Sequence, residues 1–194
     1  HCFLVEGTIN ACNSLFYWLE DHLNIPHKKM KWDERCEKTK TGGVLIPDFT
    51  GIASPYWVQP KETVFYKLNN AMNDEIIRAG MESIGFFVHD IMQTLKKDGF
   101  EITSIQSAGG GARKPLLQFM ADLLDIPVKR SKLKDKTALG VFRLLFRNQF
   151  GEFPEITHSF QENFVPKMTA DQRKIKLDNW AKALIVAGVK TGQN

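Results

Sequence analysis

Apolar positions recur along this chain at two spacings, and the switches between them predict its elements. Ala11, Leu15, Trp18, Leu19 and Leu23 fall at helical spacing. Asn10 or Asn13 can cap that helix, and 24–26, ending in Pro26, closes it. Before it, Cys2 to Val5 reads as a strand followed by a turn at 6–8. Residues 27–42 are polar, without a period, and read as a surface excursion, partly helical at most. A buried strand over 43–49, a loop over 50–60 and an edge strand over 62–68 follow. The strongest helical pattern runs from Asp74 to Lys97, with Ile77, Met81, Ile84, Val88, Ile91, Met92 and Leu95 on one face. Asn73 or Asp74 can cap it, and Gly99 can close it.

The second half continues as strand 101–106, a glycine loop, a helix turning Leu116, Met120, Leu123 and Leu124 inward, and a short strand at 126–129. Asp135 then caps a helix whose Ala138, Leu139, Phe142, Leu145 and Phe146 predict an inward face. Residues 148–166 read as irregular loop. Thr169 to Gln172 has capping-box form and opens a last helix carrying Leu177, Trp180, Ala181, Leu184 and Ile185. Residues past about 190 are expected to fray. The alternation predicts an α/β domain with a mostly parallel central sheet flanked by helices. No internal repeat is visible.

Composition narrows the class without naming a function. A chain of 194 residues can enclose one sizeable core and a small appendage. No apolar run approaches a membrane span. Residue 1 is His, which reads as a processed product or a piece of something longer. The net charge of +4 is mild. The densest basic stretch, 129–136, lacks interleaved aromatics and reads as a solvated loop, so nucleic acid is a minor hypothesis. Cys2, Cys12 and Cys36 are odd in number and lack CxxC spacing, which argues against a disulfide framework or a zinc site and for a reducing, cytoplasmic setting. The five histidines form no metal-spaced pair, and His89 beside Asp90 reads as structural.

Candidate chemistry concentrates in Ser107-Ala108-Gly109-Gly110-Gly111-Ala112-Arg113-Lys114-Pro115. Glycines between a strand and a helix let the backbone approach a ligand, because no Cβ intervenes. The following helix turns its free N–H groups and positive dipole end toward the loop, which suits a nucleotide phosphate. Pro115 fits the first helical turn. On spacing alone a tight turn accounts for the glycines slightly better than phosphate binding. The stretch satisfies neither G-x-x-x-x-G-K-[ST] nor G-x-G-x-x-G.

Several phrases in order resemble the FGGY family of carbohydrate kinases. They are Glu6-Gly7 with Trp18-Leu19; Ile46 to Trp57 against V-P-A-F-x-G-x-x-A-P-Y-W; Ile76 to Ile84 against I-x-R-A-x-x-E-S-I; GGGARKPLLQFMAD from Gly109 to Asp122; and Thr137-Ala138-Leu139-Gly140 against T-A-x-G-A. The match runs from about Phe3 to Phe150. The resemblance implies an actin-like, RNase H-like ATPase domain over 1–150, with 151–194 as an extension whose helix packs on it. It implies the C-terminal half of a two-domain kinase that needs a preceding N-terminal domain, uses ATP with Mg²⁺, and phosphorylates a small sugar or polyol. Gly109, Gly110, Gly111, Ala112 and Lys114 then become ATP-binding candidates. Asn13 stands where relatives carry a helix-start glycine near the nucleotide, and Tyr17 where they carry a polar side chain. The bland readings are a helix cap for Asn13 and a core aromatic for Tyr17.

The same resemblance places the aspartate that accepts the hydroxyl proton upstream of residue 1, so no catalytic residue and no metal ligand is expected in this chain. Asp48, Glu82, Asp90 and Asp122 read as structural. Three departures stand out. Val58 replaces an acidic residue, Thr63 to Leu68 lacks the glycines of G-x-x-x-G-L, and the segment before the long helix is one residue short. They motivate a rival reading, a non-catalytic member that binds nucleotide or sugar in a regulatory or scaffolding role. A dinucleotide-binding oxidoreductase is a weaker third reading. Pro-Tyr-Trp leans toward glycerol- and gluconate-type substrates, and GGGARKPL toward xylulose-type ones. Members often dimerise, so a homodimer is a further expectation.

Overall fold

Residues 4–133, 135–156 and 160–189 are described by the computed structural model. The elements are α1 (Asn13–His22), α2 (His27–Met30), α3 (Trp32–Lys38), β1 (Val44–Ile46), β2 (Val64–Tyr66), α4 (Asn73–Lys97), β3 (Ile105–Ser107), α5 (Lys114–Leu124), β4 (Val128–Ser131), α6 (Lys136–Phe150), β5 (Phe160–Phe164) and α7 (Ala170–Val186). β1 and β2 pair antiparallel, with Leu45 opposite Phe65. β3 lies parallel to β4, with Ile105 opposite Val128, and β4 lies antiparallel to β5. The α/β class holds, with a mixed three-stranded sheet and an antiparallel two-stranded one in place of one mostly parallel sheet. In the larger sheet the antiparallel strand is β5, which forms from the stretch read as irregular loop and returns along β4.

α4 is the central beam. Ile77, Met81 and Ile84 join a cluster with Leu15 and Leu19 of α1 and Leu117 and Met120 of α5. Phe86 and Phe87 join a second cluster with Phe119, Leu123 and, from α7, Trp180 and Leu184. The beam is therefore wet only at its ends, as its near-continuous apolar middle requires. Two glycines set the helix spacing: a Cβ at Gly80 would come 2.7 Å from Leu19 Cδ1, and one at Gly85 2.6 Å from Phe119 Cδ1.

Helix ends follow local chemistry. Asp135 accepts from Ala138 N–H at 2.8 Å, Thr169 and Gln172 form a reciprocal capping box, and Gly99 closes α4 at φ +88°. At the start of α4 the N-cap is Met72, whose N–H donates to Glu75 at 3.0 Å. Asn73 and Asp74 lie one and two positions inside, and Asp74 pairs with Arg35.

Four other expectations change. Leu4 and Val5 are exposed and belong to no strand, while residues 1–3 lie outside the described residues, as do the residues expected to fray past 190. Thr8 ties the segment down by exchanging backbone and side-chain hydrogen bonds with Ser54. The polar excursion holds α2 and α3, which bury Met30, Trp32 and Cys36. The irregular spacing of these three hides a period, yet Trp32 meets Phe16 edge-on at 4.7 Å. On α7, Ala183 is buried in place of Ala181, and Ile185 is exposed. Finally, no residue of α6 is buried, although its apolar spacing predicts an inward face.

Candidate functional site

β3 delivers the chain at Ser107 into the glycine loop, and α5 leaves it at Lys114 with Pro115 in its first turn. The loop is a pair of overlapping turns: Ala112 N–H donates to Gly109 O at 3.3 Å and Arg113 N–H to Gly111 O at 2.8 Å. Among the described residues, the N–H groups of Gly110 and Gly111 have no protein acceptor. Neither α5 nor α1 has a side-chain cap at its start. Both helices present open first-turn donors and their positive ends.

The two helix starts meet at the loop. A Cβ on Gly111 would lie 3.6 Å from Asn13 Oδ1 and 3.8 Å from Cys12 Sγ. Asn13 opens α1 without serving as its cap; that position belongs to Cys12. Tyr17 follows one turn later on the same face and is 63% exposed, so it is not a core aromatic. Asn13 thus stands beside the loop, one added methyl away from it, with Tyr17 beyond on an open face. Burial pushes the Cys12 thiol up from its ordinary value.

The three glycines are not equivalent. Only Gly109, at φ +91°, has a backbone that other residues avoid. Gly110 and Gly111 lie outside that region; a Cβ on Gly110 would meet nothing within 4 Å, and one on Gly111 only ordinary contacts. The turn needs one glycine, and the chain supplies three.

The cations flanking the loop are held. Arg113 lays its guanidinium over Phe16 at 5.1 Å and donates to Asp33 at 3.3 Å. Lys114 Nζ pairs with Glu162 of β5 at 2.6 Å, and Arg130 reaches the other oxygen of Glu162 at 3.2 Å. The hydrogen bond with Lys114 pulls the Glu162 carboxyl below its usual range, and the same contact pushes the Lys114 ammonium up. Ala112 is buried in the first cluster and anchors the loop. The part played by Asp33 and Glu162 was not visible in sequence, because each comes from a segment with no readable period.

The remaining acidic candidates are engaged in the fold. Glu82, 3% exposed, accepts from Arg78 and Lys176. Asp90 accepts from Tyr56 at 2.7 Å and Trp180 at 2.6 Å, with His89 alongside. Asp122 accepts from Lys167 N–H, and Asp48 from Thr63. Tyr56 is therefore a strut, whereas Trp57 is exposed. Lys67 stands where the G-x-x-x-G-L pattern has its second glycine, and its φ of +57° keeps a glycine-like backbone while Nζ bonds Asn179. Among the described residues no group of three or more His, Cys, Asp or Glu could hold a metal ion. An open depression of about 600 Å³ lined by Lys96, Phe100, Thr103 and Asp125 lies at the far ends of α4 and α5 from the loop.

Solved structures share this architecture. Glycerol kinase of Plasmodium falciparum with ADP superposes with a TM-score of 0.75 at 25% identity, covering 94% of this chain and 38% of that one. Gluconate kinase of Lactobacillus acidophilus does so at 0.77 and 18%, covering 93% and 39%. The fold is that of an actin-like ATPase domain. The family model described as FGGY family of carbohydrate kinases, C-terminal domain, matches residues 1–148. The chain belongs to that family. Glycerol kinases of Coxiella burnetii and Enterococcus casseliflavus are 31% and 30% identical to it, over 93% and 94% of this chain. The chain spans 38% of the length of each. No described helix is long and apolar enough to cross a membrane.

Proposed function

We propose that this chain is the nucleotide-binding half of an ATP-dependent carbohydrate kinase, which moves the γ-phosphoryl group of ATP to a hydroxyl of a small sugar or polyol. The observation that carries this reading is the surplus of glycine at the loop. Gly110 and Gly111 are not required by the backbone, and their free N–H groups stand between two uncapped helix starts. Close approach of an anion explains them, and a turn does not. In this reading Gly109 to Ala112 cradle phosphate oxygens and Asn13 offers its carboxamide beside them. Tyr17 presents a ring on the open side, and Lys114, steadied by Glu162, adds positive charge at the first turn of α5.

Phosphoryl transfer depends on positioning and on stabilising charge. This chain supplies donors and dipoles for the nucleotide. Asp48, Glu82, Asp90 and Asp122 have structural partners, and in this reading the general base comes from the preceding N-terminal domain. Such transfers use Mg²⁺, but the described residues include no ligand set for it, and no step is assigned to the ion. Residues 1–150 form the ATPase domain and 151–194 its extension in this reading, and the protein works in the cytoplasm.

ADP release by the full-length parent protein with Mg-ATP, over polyols, ketoses and aldonates, tests the proposal. Turnover on one member supports it and names the substrate. Bound ATP without turnover on any member favours the non-catalytic reading. The strained Lys67 is the observation on that side, because a position built for glycine carries a charged side chain bonded elsewhere.

A further inference from the structure

The position that ends the glycine loop is the N-cap of α5, and Arg113 holds it. Asp, Asn, Ser or Thr is usual at such a position, because a short side chain can accept from the open N–H groups of the first turn. A guanidinium carries no acceptor, so Arg113 leaves those donors free. Its side chain is committed elsewhere. The guanidinium lies over the ring of Phe16 on α1 at 5.1 Å and that of Trp32 on α3 at 5.8 Å. Nη1 donates to Asp33 at 3.3 Å, and Nε is buried without a partner. Phe16 and Trp32 are themselves buried and meet edge-on at 4.7 Å, so the two rings form a fixed seat.

The same seat governs where α1 begins. Phe16 lies one turn after Cys12 on the same face of α1, and a Cβ on Gly111 would lie 3.8 Å from Cys12 Sγ. The backbone N–H of Arg113 closes the second turn of the loop on Gly111 O at 2.8 Å. One residue thus belongs to the loop by its backbone and to α1 and α3 by its side chain. Among the described residues, the bond to Asp33 is the one side-chain hydrogen bond between 109–113 and another element. Ala112 adds apolar burial, which has no direction of its own. The spacing between the open N–H groups of Gly110 and Gly111 and the uncapped start of α1 therefore depends on how Arg113 sits.

We propose that Arg113 is a positioning residue: seated on Phe16 and Trp32 and tied to Asp33, it fixes the glycine loop against the start of α1 and so sets the width of the anion site without touching the ligand. This deepens the nucleotide-binding reading above and rests on it. Titration of Mg-ATP into the full-length parent protein and its Asp33→Asn variant, well below the melting temperature, tests it. The Asp33 side chain is 45% exposed, so the exchange leaves the fold standing. It releases Arg113 and removes a negative charge near the loop. Were Arg113 a direct phosphate ligand, both changes would tighten ATP. The positioning role gives the opposite sign: the dissociation constant rises about 2- to 5-fold, the worth of an exposed pair. Arg113→Lys keeps the charge but loses the flat stack on the rings, and should weaken ATP about 10-fold or more, as a misplaced site does. Unchanged or tighter ATP binding in Asp33→Asn overturns the proposal, as does wild-type affinity in Arg113→Lys. A parent protein that binds no ATP overturns the nucleotide reading itself, whereas ATP bound equally by parent and variants defeats this inference alone.

Discussion

Alanine at Gly111 in the full-length parent protein separates what the glycine loop needs for folding from what it needs for a ligand. The added Cβ would lie 3.6 Å from Asn13 Oδ1 and 3.8 Å from Cys12 Sγ, and the backbone is outside the left-handed region. The fold accepts that methyl, and stability should change by no more than about 0.5 kcal/mol. A phosphate oxygen accepting from the N–H sits about 2.9 Å from the nitrogen, so a methyl on the adjacent carbon pushes it back. Losing one hydrogen bond to a charged group costs about 1.5–3 kcal/mol, which is about 10- to 150-fold in the dissociation constant of ATP. Gly109→Ala is the matched control. At φ +91° it strains the backbone by about 1–3 kcal/mol and lowers the melting temperature. Titration calorimetry with Mg-ATP and thermal unfolding on the same preparations give both readouts. Wild-type ATP affinity in a stably folded Gly111→Ala variant would refute the phosphate-cradle argument and return the loop to a plain turn.

Three further outcomes concern the framework. Gly85→Ala gains about 1 kcal/mol of helix propensity but drives a methyl to 2.6 Å from the buried Phe119 ring, an overpacking of about 1–3 kcal/mol; the urea midpoint should fall, and a raised midpoint would show that the ring yields. Glu82→Ala strands Arg78 and Lys176 and should cost about 3–5 kcal/mol in chemical denaturation, whereas a loss below 1 kcal/mol, about the worth of a surface pair, would mean that water reaches the cluster. Burial pushes the Cys36 thiol from 9.0 up to about 12. The folded state therefore holds that proton longer than the unfolded one, and stability should be whole below pH 9.0 and decline as pH rises toward 12. Cys36→Ala should flatten this decline, and an unchanged alkaline profile would count against it.

The framework was readable where burial follows one period. α4 and α5 announce themselves because their apolar residues face neighbours on the same chain, and the caps at Asp135 and Thr169 act through bonds a few residues long. Trp32 and Cys36 escaped because short helices bury single side chains without a repeat. β5 escaped because its alternate partners are ions: Glu162 is worth having in a strand only once Lys114 and Arg130 are beside it. At the site, the glycine loop was legible as a motif. The nearness of Gly111 to the start of α1 was not, since it joins residues about a hundred positions apart.

α6 teaches something different. Its spacing predicts an inward face, and no residue of it is buried. A sequence pattern records the burial a segment meets in the whole protein, whereas a chain that spans 38% of its glycerol kinase relatives supplies only part of that burial itself. On α6 the two disagree over a full helix, whose Phe142, Phe146 and Phe150 rings lie tilted against one another in a row. It is unlike the exposed Ile175, Ile185 and Val186 of α7, a helix that still buries Trp180, Ala183 and Leu184. The distinction is periodicity: scattered apolar residues on a packed helix cost little, whereas an unburied apolar face kept in phase from Phe142 to Phe150, about two turns, is a pattern.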